Sequence, residues 1–257
     1  MEFNYHTHTS RCGHATGEDE EYVLTAIQNG IKHMGFSDHM PFRFPDGVES
    51  SYRVPMARAA DYVASVRGLA AKYSDKIDLK LGFEMEYYPL HFDSMLSLAR
   101  ELGADYLLLG QHFLYNQRPD EIASSRKTDN ALILHDYVDT VIEAARTGVF
   151  TYIAHPDIIG FIGDGEIYRT EMLRLAKESL NIGIPLEING LGIREKRRYP
   201  NDTFWRIVSE VGSPVTFGFD AHSAETAYNK ESLDVAMEMV KNLSLNYIGE
   251  PKLVSIK

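Results

Sequence analysis

The residues in this chain best suited to chemistry are histidines and carboxylates, and their spacing suits metal chelation. His6 and His8 form a His-x-His pair, followed by Cys12 and His14. Further along come Asp38-His39, Glu84-x-Glu86, Gln111-His112, His155-Pro156-Asp157, Glu187-x-Asn189 and Asp220-x-His222. Strand residues alternate in direction with period two, so His6 and His8 share a face, as do Glu84 and Glu86, and Asp220 and His222. Imidazole and carboxylate together suit Zn, Mn or Fe better than Ca²⁺ or Mg²⁺. His6, His8, His14, His39, Glu84, His112, His155, Asp220 and His222 make nine candidate ligands, seven of them histidine. That exceeds the roughly four to six ligands of one such ion. Two or three clustered divalent ions are therefore expected, with a carboxylate such as Glu84 able to bridge neighbours. Asp38, next to His39, faces the other way and is expected to play a supporting part. Cys12 is expected to be a small buried filler.

These groups need a scaffold that gathers them. Short apolar runs predict strands over 3–8, 32–38, 79–86, 106–112, 152–155, 185–189 and 215–220. Between and after them, helical patterns cover 18–29, 56–73, 91–101, 130–147, 169–181, 203–211 and 230–242. Strand-then-helix alternation reads as a parallel sheet with covering helices. The polar residues fall at the C-terminal end of every predicted strand. A barrel brings those ends to one mouth, whereas an open sheet would spread them along a line. The expectation is an α/β fold: a distorted seven-stranded (β/α) TIM-like barrel, one domain over 1–257. No G-x-G-x-x-G follows the first strand, which counts against dinucleotide binding. His33, His91 and His135 lie at a strand start or on helices and serve as controls, expected to be surface or packing residues.

At 257 residues the chain has the length of one such barrel, about 250 residues. Its formal charge of −11 argues against contact with a nucleic-acid backbone. No apolar run nears the ~18 residues needed to cross a bilayer, so no membrane partner is expected. The first residues have neither a basic nor an apolar stretch, and the lone Cys12 forbids an internal disulfide. A reducing, cytoplasmic setting is the expectation. Nothing in the sequence specifies an oligomeric state.

The motifs His6-x-His8-Thr9-x-x-Cys12-x-His14, Gly35-Phe36-Ser37-Asp38-His39-Met40-Pro41-Phe42, Gly82-x-Glu84, Gln111-His112, His155-Pro156-Asp157 and Gly218-x-Asp220-x-His222 resemble the PHP (polymerase and histidinol phosphatase) family. The resemblance spans residues 6 to 222. The Asp38-His39-x-Pro41-Phe42 run and the Glu187-Ile188-Asn189 strand are similar to its histidinol-phosphate phosphatase branch. It implies a distorted seven-stranded barrel with three divalent metal ions. By this resemblance His6, His8, Glu84 and Asp220 would hold the first ion. Glu84 would bridge to the second, held also by His112 and His155. His14, His39 and His222 would hold the third. The implied activity is hydrolysis of L-histidinol phosphate, a small phosphorylated substrate, by direct attack of water. The alternative is another small phosphate ester, a nucleotide or a phosphoprotein.

Two further residues are candidates for the catalytic step. Asp157 could donate a proton to the leaving oxygen, bind a substrate amine, or orient His155. Arg194 could hold a phosphate oxygen, because a guanidinium matches phosphate geometry. Lys196, Arg197 and Arg198 are expected to be a solvated basic run. The chain departs from the branch in having no arginine between Asp157 and Arg169.

Overall fold

The computed structural model describes residues 1–115 and 122–256. The chain folds as alternating parallel strands and helices. Strands β1 (Phe3–Asn4), β2 (His33–Phe36), β3 (Asp78–Met85) and β4 (Tyr106–Leu109) form one sheet in that order. Strands β5 (Leu186–Asn189), β6 (Pro214–Gly218) and β7 (Asn246–Tyr247) form a second. Every pairing is parallel. Helices α1 (Asp19–Gln28), α2 (Ala59–Lys72), α3 (Phe92–Glu101), α4 (Ala131–Arg146), α5 (Gly165–Ile182), α6 (Gly190–Arg194), α7 (Asp202–Val211) and α8 (Lys230–Asn242) fall between and after the strands.

The expected number of strands is met among the described residues, but in two sheets, and their membership differs. Residues 152–155 form no strand. Only Ile153 pairs there, bridging Leu109 on one side and Leu186 on the other. Another isolated bridge joins Thr7 to Ala221, so paired backbone spans both gaps between the sheets. Strand β7 was not expected; its two residues extend the second sheet beside Pro214 and Val215. Helix α5 starts four residues before the expected 169, because Asp164 caps it by accepting from the Glu166 and Ile167 amides. Helix α6 was also not anticipated; Asn189 caps it at the Gly192 amide.

Strand alternation separates two layers. On β3, Leu79, Leu81, Phe83 and Met85 are buried in the main core with Tyr62, Val66 and Met95 of the covering helices. Gly82 and Glu84 take the other face. A Cβ on Gly82 would lie 2.4 Å from the Tyr106 ring, and one on Gly35 2.1 Å from its hydroxyl. These glycines make room for Tyr106, which packs with Phe3, Tyr5, Leu108, Tyr152 and Ala154 in a second core. Tyr106 pairs with Gly82, one pleat before Glu84. No helix among the described residues is long and apolar enough to cross a membrane.

Candidate metal centre

Glu84 is the centre of the polar cluster. Its carboxylate lies within 3.5 Å of a ring nitrogen on each of His6, His8, His39, His112 and His155. Gly110 makes this possible, since a Cβ there would lie 1.9 Å from Glu84 Oε1. Asp220 lies 3.2 Å from His8 Nε2, 3.3 Å from His222 Nδ1 and 3.5 Å from His6 Nε2. His14 completes the group, with ring centroids 5.2 Å from His39 and 5.0 Å from His222. All nine residues singled out by spacing therefore come together. Several triads of ligand atoms lie within 4.8 Å of one another, among them His6–His8–Glu84, His6–His155–Asp220, His39–Glu84–His112 and His14–His39–His222.

The donor atoms are of the kind a cation would satisfy. His6 Nε2, both ring nitrogens of His8 and of His39, Glu84 Oε2, His155 Nδ1 and Asp220 Oδ1 are buried without a hydrogen-bond partner. An unpaired buried polar atom costs roughly 1–3 kcal/mol, so so many together fit coordination rather than packing. Electrostatics agree. Burial alone would raise the Glu84 and Asp220 carboxyls, yet the surrounding imidazoles hold both well below the usual range. Burial lowers His39, and His222 to about 3, with His8 adding to the fall, so both rings are neutral donors. His6 and His8 go the other way. Burial lowers them, but nearby carboxylates outweigh it, raising His6 and taking His8 to about 9. This is a nest that favours positive charge.

Carboxylates lie behind the histidines, one of them hydrogen-bonded to a ring and two at charge-contact distance. Glu187 Oε1 is 2.7 Å from His6 Nδ1. Asp38 Oδ1 is 3.5 Å from His8 Nδ1, and Asp38 also accepts from the Thr9 hydroxyl and the His39 amide. Glu86 lies 3.4 Å from His112 Nδ1 and is ion-paired with buried Arg53 at 2.7 Å. Such partners leave the second ring nitrogen for a metal. Arg53 was missed, and Glu187 was picked out by its place at a strand end but given no role; a buried charge facing a ligand strand is visible only once strand neighbours are known.

The cluster opens into a cavity of about 600 Å³. Tyr52, Tyr199, Arg197 and Arg198 line it together with His8, His14, His39, Glu84, His112, His155, Asp220 and His222. Tyr52 covers the outer imidazoles, 4.2 Å from the His39 ring and 4.9 Å from that of His14. The two catalytic candidates lie elsewhere. Arg194 donates to the Phe219 and Asp220 carbonyls at 2.7 and 3.0 Å, behind the end of β6. Asp157 is buried and accepts from the Asn201 amide at 2.5 Å and from Trp205 Nε1 at 3.1 Å, holding the start of α7. Burial pushes its carboxyl up to about 7 against those donors. Neither lines the cavity, whereas Arg197 and Arg198, expected to be merely solvated, do. The control histidines stay away: His33 pairs with Glu250, His135 with Glu171 and Asp139, and His91 packs on Phe42 and Phe44.

Known proteins share this architecture. A probable histidinol-phosphatase of Deinococcus radiodurans is 28% identical over 225 residues, 84% of this chain and 85% of that protein. A probable histidinol-phosphatase of Schizosaccharomyces pombe is 25% identical over 252 residues, 86% of this chain and 81% of that one. The crystal structure of histidinol phosphate phosphatase from Lactococcus lactis, complexed with zinc, L-histidinol and phosphate, superposes with a TM-score of 0.74 at 18% identity, covering 99% of this chain and 97% of that one. The family model of the PHP domain matches residues 4–190, well over half of the chain, and the protein belongs to that family.

Proposed function

We propose that this protein is a metal-dependent phosphate monoester hydrolase acting on L-histidinol phosphate. The observation that carries the reading is Glu84, ringed by five imidazoles at the floor of a cavity whose rim bears Arg197 and Arg198. The names of the relatives and the ligands of the L. lactis enzyme point to the substrate. The bridges at Ile153 and Thr7 support reading the two sheets as one distorted barrel.

Three divalent ions, Zn, Mn or Fe, are the proposed cofactors. His6, His8, Glu84 and Asp220 would hold one; Glu84, His112 and His155 the second; His14, His39 and His222 the third. Bound there, such ions supply Lewis acidity and an activated water, which phosphate ester hydrolysis requires. The chain contributes the rest. Glu84 has two oxygens and can serve two ions. Arg197 and Arg198 supply cations to the phosphate end of a substrate in an otherwise acidic protein. Arg198 is the more available, because Arg197 is ion-paired with Glu195 at 2.6 Å and bonded to Tyr199. The cavity volume lies within the ~300–1,000 Å³ typical of small-molecule sites. Cys12 has no part as nucleophile: it is fully buried, and burial together with Asp38 pushes its thiol up to about 12. Arg194 and Asp157 become positioning residues, the first for Asp220 and the second for α7.

The test is hydrolysis of a phosphate-ester panel by the metallated protein. L-Histidinol phosphate is expected to give the highest kcat/KM, well above p-nitrophenyl phosphate. Equal constants for the two would overturn the substrate. Activity that survives complete removal of metal would overturn the mechanism.

A further inference from the structure

Glu187 differs from Glu84, Glu86 and Asp220, the other acidic residues at the ends of β3 and β6. Glu84, Glu86 and Asp220 each leave a buried oxygen without a hydrogen-bond partner, and Glu187, fully buried on β5, leaves none. Its Oε1 meets His6 Nδ1 at 2.7 Å. Its Oε2 accepts from the His155 backbone amide at 3.0 Å and from Asn189 Nδ2 at 2.8 Å. Asn189 Nδ2 in turn reaches Asp220 Oδ2 at 3.0 Å. One carboxylate thus touches His6 by its ring, His155 by its backbone and Asp220 through an amide. Those three residues form one of the triads whose ligand atoms converge within 4.8 Å.

Each contact leaves a ligand atom facing the centre. With His6 Nδ1 occupied by Glu187, the unpaired Nε2 carries the lone pair. With Asp220 Oδ2 held by Asn189, the unpaired Oδ1 points to the histidines. His155 and Asp220 have positive φ, 30° and 51°, a conformation that non-glycine residues keep only where the surroundings enforce it. Glu187 holds the amide of the first and, through Asn189, the side chain of the second. Space is reserved for this carboxylate, since a Cβ on Gly218 would lie 1.9 Å from its Oε1.

We infer that Glu187 is the positioning residue of the metal centre, setting His6, His155 and Asp220 as one preformed unit without itself being a ligand. The inference rests on the metal-centre reading given above. It is tested by titrating Zn²⁺ into chelator-stripped protein against a chromogenic competitor, with no substrate present. The wild type, Glu187→Gln and Asn189→Asp are compared. Glu187→Gln keeps the shape but offers one acceptor oxygen in place of two. It is expected to weaken the two ions that His6, Asp220 and His155 would hold about 10- to 100-fold, the usual range for a residue that orients a ligand, and to leave the ion assigned to His14, His39 and His222 unchanged. Raising Zn²⁺ should restore turnover in proportion. Ring-nitrogen resonances should show His6 protonated on Nδ1 in the metallated wild type and a mixture of tautomers in Glu187→Gln. Should Glu187→Gln fail to fold, Asn189→Asp gives the same reading, because it keeps the oxygen that caps α6 while setting a negative charge against Glu187 and Asp220. Wild-type affinities for every ion in the folded variants, with the His6 tautomer unchanged, would overturn the role of Glu187. A wild type that takes up no ion would instead overturn the metal centre itself.

Discussion

The metal centre has an inner and an outer part, and the two are built differently. His6, His8, Glu84, His155 and Asp220 are at most 3% exposed, and further carboxylates back the inner rings. His14 is exposed and the His222 side chain is 19% exposed. Their Nδ1 atoms rest on main-chain oxygens close by, Cys12 O at 3.0 Å and Asp220 O at 3.2 Å. An inner ligand is therefore held by strands distant in sequence, whereas an outer one is held by its own loop and the Tyr52 ring. The inner part is preorganised by the whole fold. The outer part is a local structure that opens at a lower free-energy cost.

The sharpest way to break this contrast is at its two ends. His155→Ala should lower kcat/KM on the order of 1,000-fold, because a metal supplies several kcal/mol to such a reaction and each 1.4 kcal/mol is tenfold. Steady-state kinetics checks this. A smaller loss than that of His14→Ala would reverse the assignment of inner and outer parts.

A graded chelator series sharpens the comparison. The first ion removed should be the one that His14, His39 and His222 would hold on the proposed reading, and in His14→Ala the number of tightly held ions should fall by one. Elemental analysis after each step reads the order. Release of the inner ions first would refute it.

The arginines divide along the same line. Arg198 lines the cavity and, among the described residues, has a single long contact, to the Gly160 carbonyl at 3.5 Å. One charge-assisted contact to phosphate is worth about 1.5–3 kcal/mol, so Arg198→Ala should cost roughly 10- to 150-fold in kcat/KM. Arg194→Lys should cost less, and by the same factor for L-histidinol phosphate and p-nitrophenyl phosphate, because it acts on the Asp220 backbone rather than on substrate. A substrate-dependent loss would return Arg194 to the phosphate site. The smallest effect belongs to His33→Ala, at an exposed pair with Glu250. Turnover should stay within about twofold, since exposed ion pairs contribute little.

How much of this was readable from the sequence follows from the range of the forces involved. Part of the cluster was legible because period-two alternation is local: His6 and His8, or Asp220 and His222, sit at fixed offsets that need no knowledge of the fold, while His14, His39, His112 and His155 stood out only by residue type at or just after predicted strand ends. Other features escaped, the short strand β7 among them. Residues 152–155 resemble a strand in composition, yet only Ile153 pairs, and φ turns positive at His155. Helix α6 is five residues long, too short for periodicity to show. Its turn carries Arg194 behind β6 and leaves Arg197 and Arg198 facing the cavity, the reverse of the expected order. The role of Glu187 depends on β1, β5 and β6 meeting, a juxtaposition of residues more than 180 positions apart.

The aromatic layer below Glu84 makes the cavity a cul-de-sac. Tyr106 fills the space above Gly35 and Gly82, with its hydroxyl tied to the Tyr5 carbonyl at 2.7 Å, so the described residues close the strands together beneath the cluster. Whatever enters must leave by the same opening, in reverse order of depth. On the proposed reading, the alcohol product would occupy the mouth and inorganic phosphate the deep end beside Glu84. Phosphate then departs last, and while it stays it occupies the place of the next substrate. Traffic through a single door would thus make the enzyme sensitive to the concentration of its own inorganic product.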